Sequence, residues 1–469
     1  MAIDQMEGGR YGAQARCRSL SGTPCLAALP PLGHARYVTE EFIVEGTANA
    51  FRPARPLTED GLWSVEQGER ASYATRLVVC RPAAIEKFEG TVVVEWLNVS
   101  GGTDAGPIFS QIRRYVLKHG WIWVGVSAQR AGLFGGAIIQ TGATPVSQMD
   151  PQRYGFLDHP GDAYAFDIFA QAGAAIRGGN LGALSGFKPQ RFIAAAASQS
   201  SYFLTTFING IAPVRPIFDG FLLSGRYGGA ATFSGERTPE RGDAVLVRED
   251  LHVPVLIVQS ETDVLGKLYS YPARQPDSPW YRLWEVAGSA HADTYMVASL
   301  MDDGSMSLAA RANLTKPTAN FLGIEFDHLY NSGGQQHFVL RAAAHYLHHW
   351  IVTGEPPACA TRLQTEMAAD TPRFVVDSNG NVRGGVRTPW VDVPLSLLSG
   401  LCASDEGAAQ LAGKTVPFSA DDITRLYPGG AADYAERVNR ELHNAIANGF
   451  LLNEEAEEIA YLLKSLFPS

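Results

Sequence analysis

RFIAAAASQSSYFLTTFING, residues 191–210, runs an apolar stretch into four alanines and then into Ser198, Gln199, Ser200 and Ser201. Arg191–Ala197 has the length and unbroken apolarity of a strand buried on both faces, and the residues from Tyr202 onward read as the start of a helix. Ser198 falls at the junction. A serine on a strand-to-helix turn takes a strained backbone conformation, so the residues two before and two after it must be small for strand and helix to pass closely. Ala196 and Ser200 meet that need, which makes the pattern small-x-Ser-x-small rather than strict G-x-S-x-G. Alone, it suits a small-residue packing seam as well as a nucleophile.

Working outward, the flanking segments set the fold class. RYVTEEFIVEG and YATRLVVCRP alternate apolar and polar residues like half-buried strands, and GTVVVEWLN is a short continuous apolar run. AGPIFSQIRRYVLKHG has helical spacing and ends at Gly120; WIWVGVSAQ returns to strand, and GDAYAFDIFAQAGAAIRG reads as helix. PIFDGFLLSG and VPVLIVQSE supply two more buried strands. Strands alternating with helices through short loops predict an α/β fold, a mostly parallel central sheet with helices on both faces. Residues 1–36 form an N-terminal segment in this reading and 37–360 the core, with an irregular, lid-like insertion at about 292–336. Residues 361–469 are a C-terminal extension packed on the core, with a hairpin expected about Asn379 and Gly380 and two helices parted at NGF.

Chain order then favours the nucleophile. VPVLIVQSETD carries Glu261 and Asp263 just past a strand's carboxyl end, and RLWEVAGSAHAD carries His291 after a further strand, so serine, acid and histidine follow in the order an α/β hydrolase requires. Ser198 must lose its proton as it attacks, His291 would take that proton, and a carboxylate would hold the imidazole tautomer. Asp263 is preferred to Glu261 for the carboxylate. The Gly-rich EWLNVSGGTDAG, with the N–H groups of Gln199 and of Asn98 or Val99, is the expected oxyanion hole.

With VVVEWLNVSGG, ASQSSYFL, QSETDV, RLWEVAGSAHAD and AAAHYLHHWIVTGEPP in hand, the chain from about residue 40 resembles the large "alpha/beta hydrolase domain" proteins of mostly unassigned substrate. That resemblance implies an α/β-hydrolase fold. Members tend to show G-x-S-Q-S at the serine, so Ala196 is a departure that bears on the tightness of the turn. The expected activity is a serine carboxylic-ester hydrolase acting through an acyl-enzyme on a small-molecule ester or lactone. An acyltransferase or biosynthetic lactonase with the same triad, and a non-catalytic ligand-binding relative, are the alternatives.

Other signals point away from other classes. A net charge of −10 without any basic run argues against nucleic acid or an anionic membrane as partner. Five scattered cysteines with no C-x-x-C pair suggest neither a disulfide framework nor a thiolate metal site, and together with an N-terminus lacking an apolar core they suggest the cytoplasm. GAAQLAGKT, residues 407–415, imitates a phosphate loop with the wrong glycine spacing. His345, His348 and His349 share a helix without the glutamate of H-E-x-x-H, so no metal and no cofactor is expected. Ser200 and Ser201 compete with Ser198, Ser127 and Arg130 are candidates to line a pocket, as are residues 133–158, and self-association into a homo-oligomer stays open.

Overall fold

The computed structural model describes residues 15–139, 142–236, 244–321, 323–402 and 409–468. Its central sheet contains β1 (Arg16–Leu20), β2 (Tyr37–Pro53), β3 (Val65–Pro82), β4 (Thr91–Trp96), β5 (Ile122–Val126), β6 (Arg191–Ala197), β7 (Gly220–Ser224), β8 (Val255–Ser260) and β9 (Tyr281–Val286). The spatial order is β1-β2-β3-β5-β4-β6-β7-β8-β9. Neighbours from β1 to β5 pair antiparallel, and every pair from β5 through β9 is parallel. The α/β class and the mostly parallel sheet are therefore as expected.

Parallel neighbours need crossovers, and these bring α1 (Pro107–Lys118), α2 (Ala165–Arg177) and α3 (Gln199–Thr206) against the sheet, while α4 (Gln335–Thr353), which follows β9, packs on β7 and β8. The alanine run of β6 shows why small residues sit mid-sheet. Ala194 and Ala196 join one core with Trp96, Phe166 and Phe203, while Ala195 and Ala197 join the opposite core with Trp123 and Phe338. Short side chains there leave both layers room for bulky aromatics.

The chain leaves β4 for β5 on one side and returns to β6 on the other. This reversal opens a crevice beyond the carboxyl ends of β4 and β6, the place where open α/β sheets bind ligands. The Gly-rich loop after β4 and Ser198 after β6 both face it.

The two C-terminal helices expected on either side of NGF are present, and both are amphipathic. On α5 (Gly430–Ala447), Tyr434, Val438, Leu442 and Ala445 form one buried stripe, and α6 (Ala456–Ser465) adds Ile459, Leu462 and Leu463. Both join the core that contains Trp284 and Trp350.

Three local readings change. Periodicity starts the sheet at residue 37, yet β1 adds an edge strand paired with Glu41–Glu45, its polar RCRSL sequence being suited to an exposed edge. The segment 292–336 is more regular than its composition suggests. Helices Thr294–Leu300 and Leu308–Leu314 begin where Asp293 and Ser307 accept the N–H groups of Met296 and Ala310. The turn at Asn379–Gly380 exists, but only the single bridge Val376 to Val382 closes it, because Thr371–Phe374 forms its ladder with Thr365–Ala368 instead.

Candidate active site

Ser198 stands at φ 58° and ψ −127°, a region that L side chains rarely occupy. Two bonds hold it there: its N–H donates to the Ser224 carbonyl on β7 at 2.9 Å, and its carbonyl accepts the Ser201 N–H at 2.9 Å as α3 begins. Ala196, fully buried, pairs with Leu223 of β7. The competing hydroxyls are spent locally, that of Ser200 on the Ala197 carbonyl (2.9 Å) and that of Ser201 on the Ser198 carbonyl (2.6 Å).

The structure brings all three expected side chains together. His291 Nε2 lies 3.1 Å from Ser198 Oγ, and His291 Nδ1 lies 2.6 Å from Asp263 Oδ1. Asp263 is fully buried, and its Oδ2 accepts the Ser260 N–H at 2.6 Å in a reciprocal capping box. Glu261 faces elsewhere: its two oxygens accept the Gly288 and Gly400 N–H groups at 2.6 and 2.8 Å, and burial pushes its carboxyl up to about 7. With the proton on Nδ1 shared with Asp263, Nε2 is left to accept from Ser198.

Ser198 and His291 open on a cavity of about 500 Å³. Asn98, Pro107, Met296, Leu300, Ile324 and Leu411 are among its walls, and among the described residues no Lys, Arg, Asp or Glu lines it. The 292–336 segment thus supplies much of the lining, whereas of residues 133–158 only Ile139 reaches it, among the described residues.

The oxyanion candidates separate. Gln199 is the first residue of α3, where a helical N–H has no partner within the helix. The Asn98 N–H, by contrast, is not a free donor. It is given to the Ala105 carbonyl at 2.9 Å, because the loop closes on itself as a two-bond bridge. Val99 is fully buried and does not line the cavity. The Asn98 side chain does line it, accepting the Ser100 N–H on Oδ1 at 2.9 Å and donating from Nδ2 to the Ala197 carbonyl at 3.0 Å.

The family model described as alpha/beta hydrolase domain matches residues 9–461. The chain belongs to that family. No curated protein matches it. Among solved structures it is similar to a cold-adapted esterase from an Arctic intertidal metagenomic library, at 12% identity over 53% of this chain and 84% of that one, with a TM-score of 0.28. A putative dienelactone hydrolase from Klebsiella pneumoniae is 12% identical over 58% and 98%, with a TM-score of 0.27. A glucuronoyl esterase from Solibacter usitatus is 10% identical over 60% and 82%, with a TM-score of 0.30. Likenesses of this size carry no argument about substrate.

In this alpha/beta hydrolase, positioning residues outside the motifs complete the site. Gly225, at φ 58° just past β7, lets the His291 ring lie against the backbone, where a Cβ would come within 2.7 Å of Cε1. Thr262 Oγ1 accepts the His291 N–H at 3.1 Å and donates to the Gly400 carbonyl at 2.6 Å. The glycine ending FLLSG was the one available signal; Thr262 and Gly400 are 138 residues apart in sequence and gave none.

The remaining candidates lie elsewhere. The Ser127 hydroxyl bonds buried Asp104, the Arg130 N–H caps on Asp162 at 2.7 Å, and neither lines the cavity. His345 Nδ1 sits 2.8 Å from the Tyr115 hydroxyl, His348 packs on Trp121, and His349 is exposed. No cluster of His, Cys, Asp or Glu suited to a metal occurs among the described residues. Of the phosphate-loop imitation, Gly407 and Ala408 lie outside the described residues, and Lys414 begins a short strand. Among the described residues no helix is long and apolar enough to cross a membrane.

Proposed function

We propose that this hydrolase cleaves a carboxylic ester or lactone through an acyl-enzyme on Ser198. The observation carrying the reading is the unbroken hydrogen-bond chain from Ser198 through His291 to Asp263, open at its serine end to an apolar cavity. As Ser198 Oγ attacks the carbonyl carbon, its proton passes to His291 Nε2, and Asp263 stabilises the imidazolium that forms. The tetrahedral oxyanion collapses, the C–O bond to the alcohol breaks, and the alkoxide leaves with the proton from Nε2. Water then repeats the sequence on the acyl-enzyme, releasing the acid and restoring Ser198.

The Gln199 N–H, at the positive end of α3, supplies one oxyanion donor. The second is assigned to the Asn98 side chain in place of its N–H: Nδ2 carries two hydrogens, and one remains beyond the bond to Ala197. The apolar lining favours neutral acyl and alcohol groups.

The test is hydrolysis of an activated short-chain ester together with fluorophosphonate labelling. Wild type is expected to hydrolyse and to label, and Ser198→Ala to do neither while unfolding at an unchanged temperature. Full activity in Ser198→Ala would overturn the proposal.

A further inference from the structure

Of the amide side chains that line the cavity, one has no hydrogen-bond partner among the described residues. Ser110 and Gln111 line the wall but donate to the Pro107 carbonyl at 3.0 and 3.2 Å, and Asn98 is tied to Ala197 and Ser100. Gln336, in the first turn of α4, lines the same wall, is 4% exposed, and its Oε1 is buried with no hydrogen-bond partner. Its neighbour Gln335 also leaves Oε1 unpartnered but does not line the cavity and is anchored through Nε2, which donates to the Ala287 carbonyl at 3.1 Å. A buried amide without partners is costly, and in a mainly apolar wall such a group is what fixes a ligand's orientation.

We infer that Gln336 selects the substrate, and that the substrate is a neutral ester bearing a hydroxyl group on an otherwise apolar chain. A hydroxyl both donates and accepts, so it matches the amide whichever of oxygen and nitrogen faces it. A charged substituent is disfavoured, because among the described residues no Lys, Arg, Asp or Glu lines the wall to compensate its desolvation. The cavity of about 500 Å³ limits the ligand to a small or medium chain. The choice of ester as the bond cut rests on the proposed function above; the recognition of the hydroxyl by Gln336 does not.

The experiment separates the two. Binding is measured by calorimetry in Ser198→Ala, which cannot turn over, using methyl hexanoate and a series of methyl hydroxyhexanoates with the hydroxyl at successive carbons. At least one hydroxy ester is expected to bind roughly tenfold or more tighter than methyl hexanoate, and Ser198→Ala/Gln336→Leu to lose that preference. Gln336→Met, which keeps the chain length, gives the same comparison if leucine disturbs packing. In the Ser198 protein the matching kcat/KM ratio should collapse through KM. No hydroxyl preference at any position, or a preference that survives both substitutions, overturns the inference. Hydroxyl-selective binding without turnover or fluorophosphonate labelling would instead reject the ester-hydrolase reading and leave this one standing.

Discussion

Replacing Asp263 by asparagine tests the site at its least accessible point. The carboxylate serves two donors at once, His291 Nδ1 on Oδ1 at 2.6 Å and the Ser260 N–H on Oδ2 at 2.6 Å. An asparagine has one oxygen to offer. If that oxygen keeps the Ser260 N–H, the amide nitrogen points a hydrogen at Nδ1, and the imidazole must move its own proton to Nε2. The nitrogen that should accept from Ser198 then donates, and the general base is lost. The reverse orientation sets an amide hydrogen against the Ser260 N–H in a fully buried place, which is costlier still. A wrong tautomer lowers kcat by about 10⁴-fold, or roughly 5.4 kcal/mol of transition-state stabilisation. The assay is kcat on an activated ester for Asp263→Asn beside Glu261→Gln, with thermal unfolding of both. Glu261→Gln sets an amide against the Gly288 or Gly400 N–H, so it should lose stability while keeping activity within about tenfold. The assignment fails if Asp263→Asn stays within tenfold of wild type and Glu261→Gln loses three orders of magnitude.

At the strained φ of Ser198, Ser198→Gly should be about 1 kcal/mol more stable than Ser198→Ala in denaturant unfolding, because glycine alone adopts that conformation freely. Equal stability would mean that the elbow is unstrained. Glu458 of α6 accepts from Arg114 and, at 2.5 Å, from the Tyr295 hydroxyl, and pairs with Arg311 at 3.3 Å, joining the C-terminal extension to the helices whose Met296 and Leu300 wall the cavity. Glu458→Gln removes the carboxylate paired with half-buried Arg114 and one of two facing buried Arg311, which keeps Asp302 at 3.1 Å, so it should cost about 2 kcal/mol and raise KM more than it lowers kcat. His337 is buried with both ring nitrogens unpartnered, and burial, reinforced by Arg341, Arg114, Arg311 and Arg113, holds its pKa well below the usual histidine value. The unfolded chain takes up a proton near pH 6.5 that the folded chain refuses, so stability present above that pH falls as the pH drops through it, by at most about 1.4 kcal/mol per unit. His337→Leu should flatten this slope between pH 6.5 and 5 in urea-unfolding midpoints; an unchanged slope would show that other groups carry it.

Legibility in the sequence followed the range of the forces involved. Buried strands announce themselves by local apolar runs, and parallel alternation by chain order, so β4 to β9 and their helices could be read directly. The edge strand β1 could not, because a polar strand is held by pairing with β2 rather than by its own pattern. Within the site, Ser198, Asp263 and His291 were legible because an α/β sheet delivers its loops to one edge in a set order. Thr262, Gly225 and Gln336 were not, since what they touch depends on segments far apart in the chain.

By itself the sequence determined the fold class, the strand-to-helix setting of Ser198 and the serine–acid–histidine order, all of which follow from residue size and periodicity over short spans. Only the tertiary structure decided between Asp263 and Glu261, because both stand past the same strand and the choice depends on which carboxylate is taken by the Gly288 and Gly400 N–H groups. It likewise gave the Asn98 N–H to Ala105, so that it is not a free donor, and it left the Gln336 Oε1 without a partner beside a mainly apolar cavity. A hydrogen-bonding group has few partners to give, and which of them it meets is settled by packing, not by its neighbours in sequence.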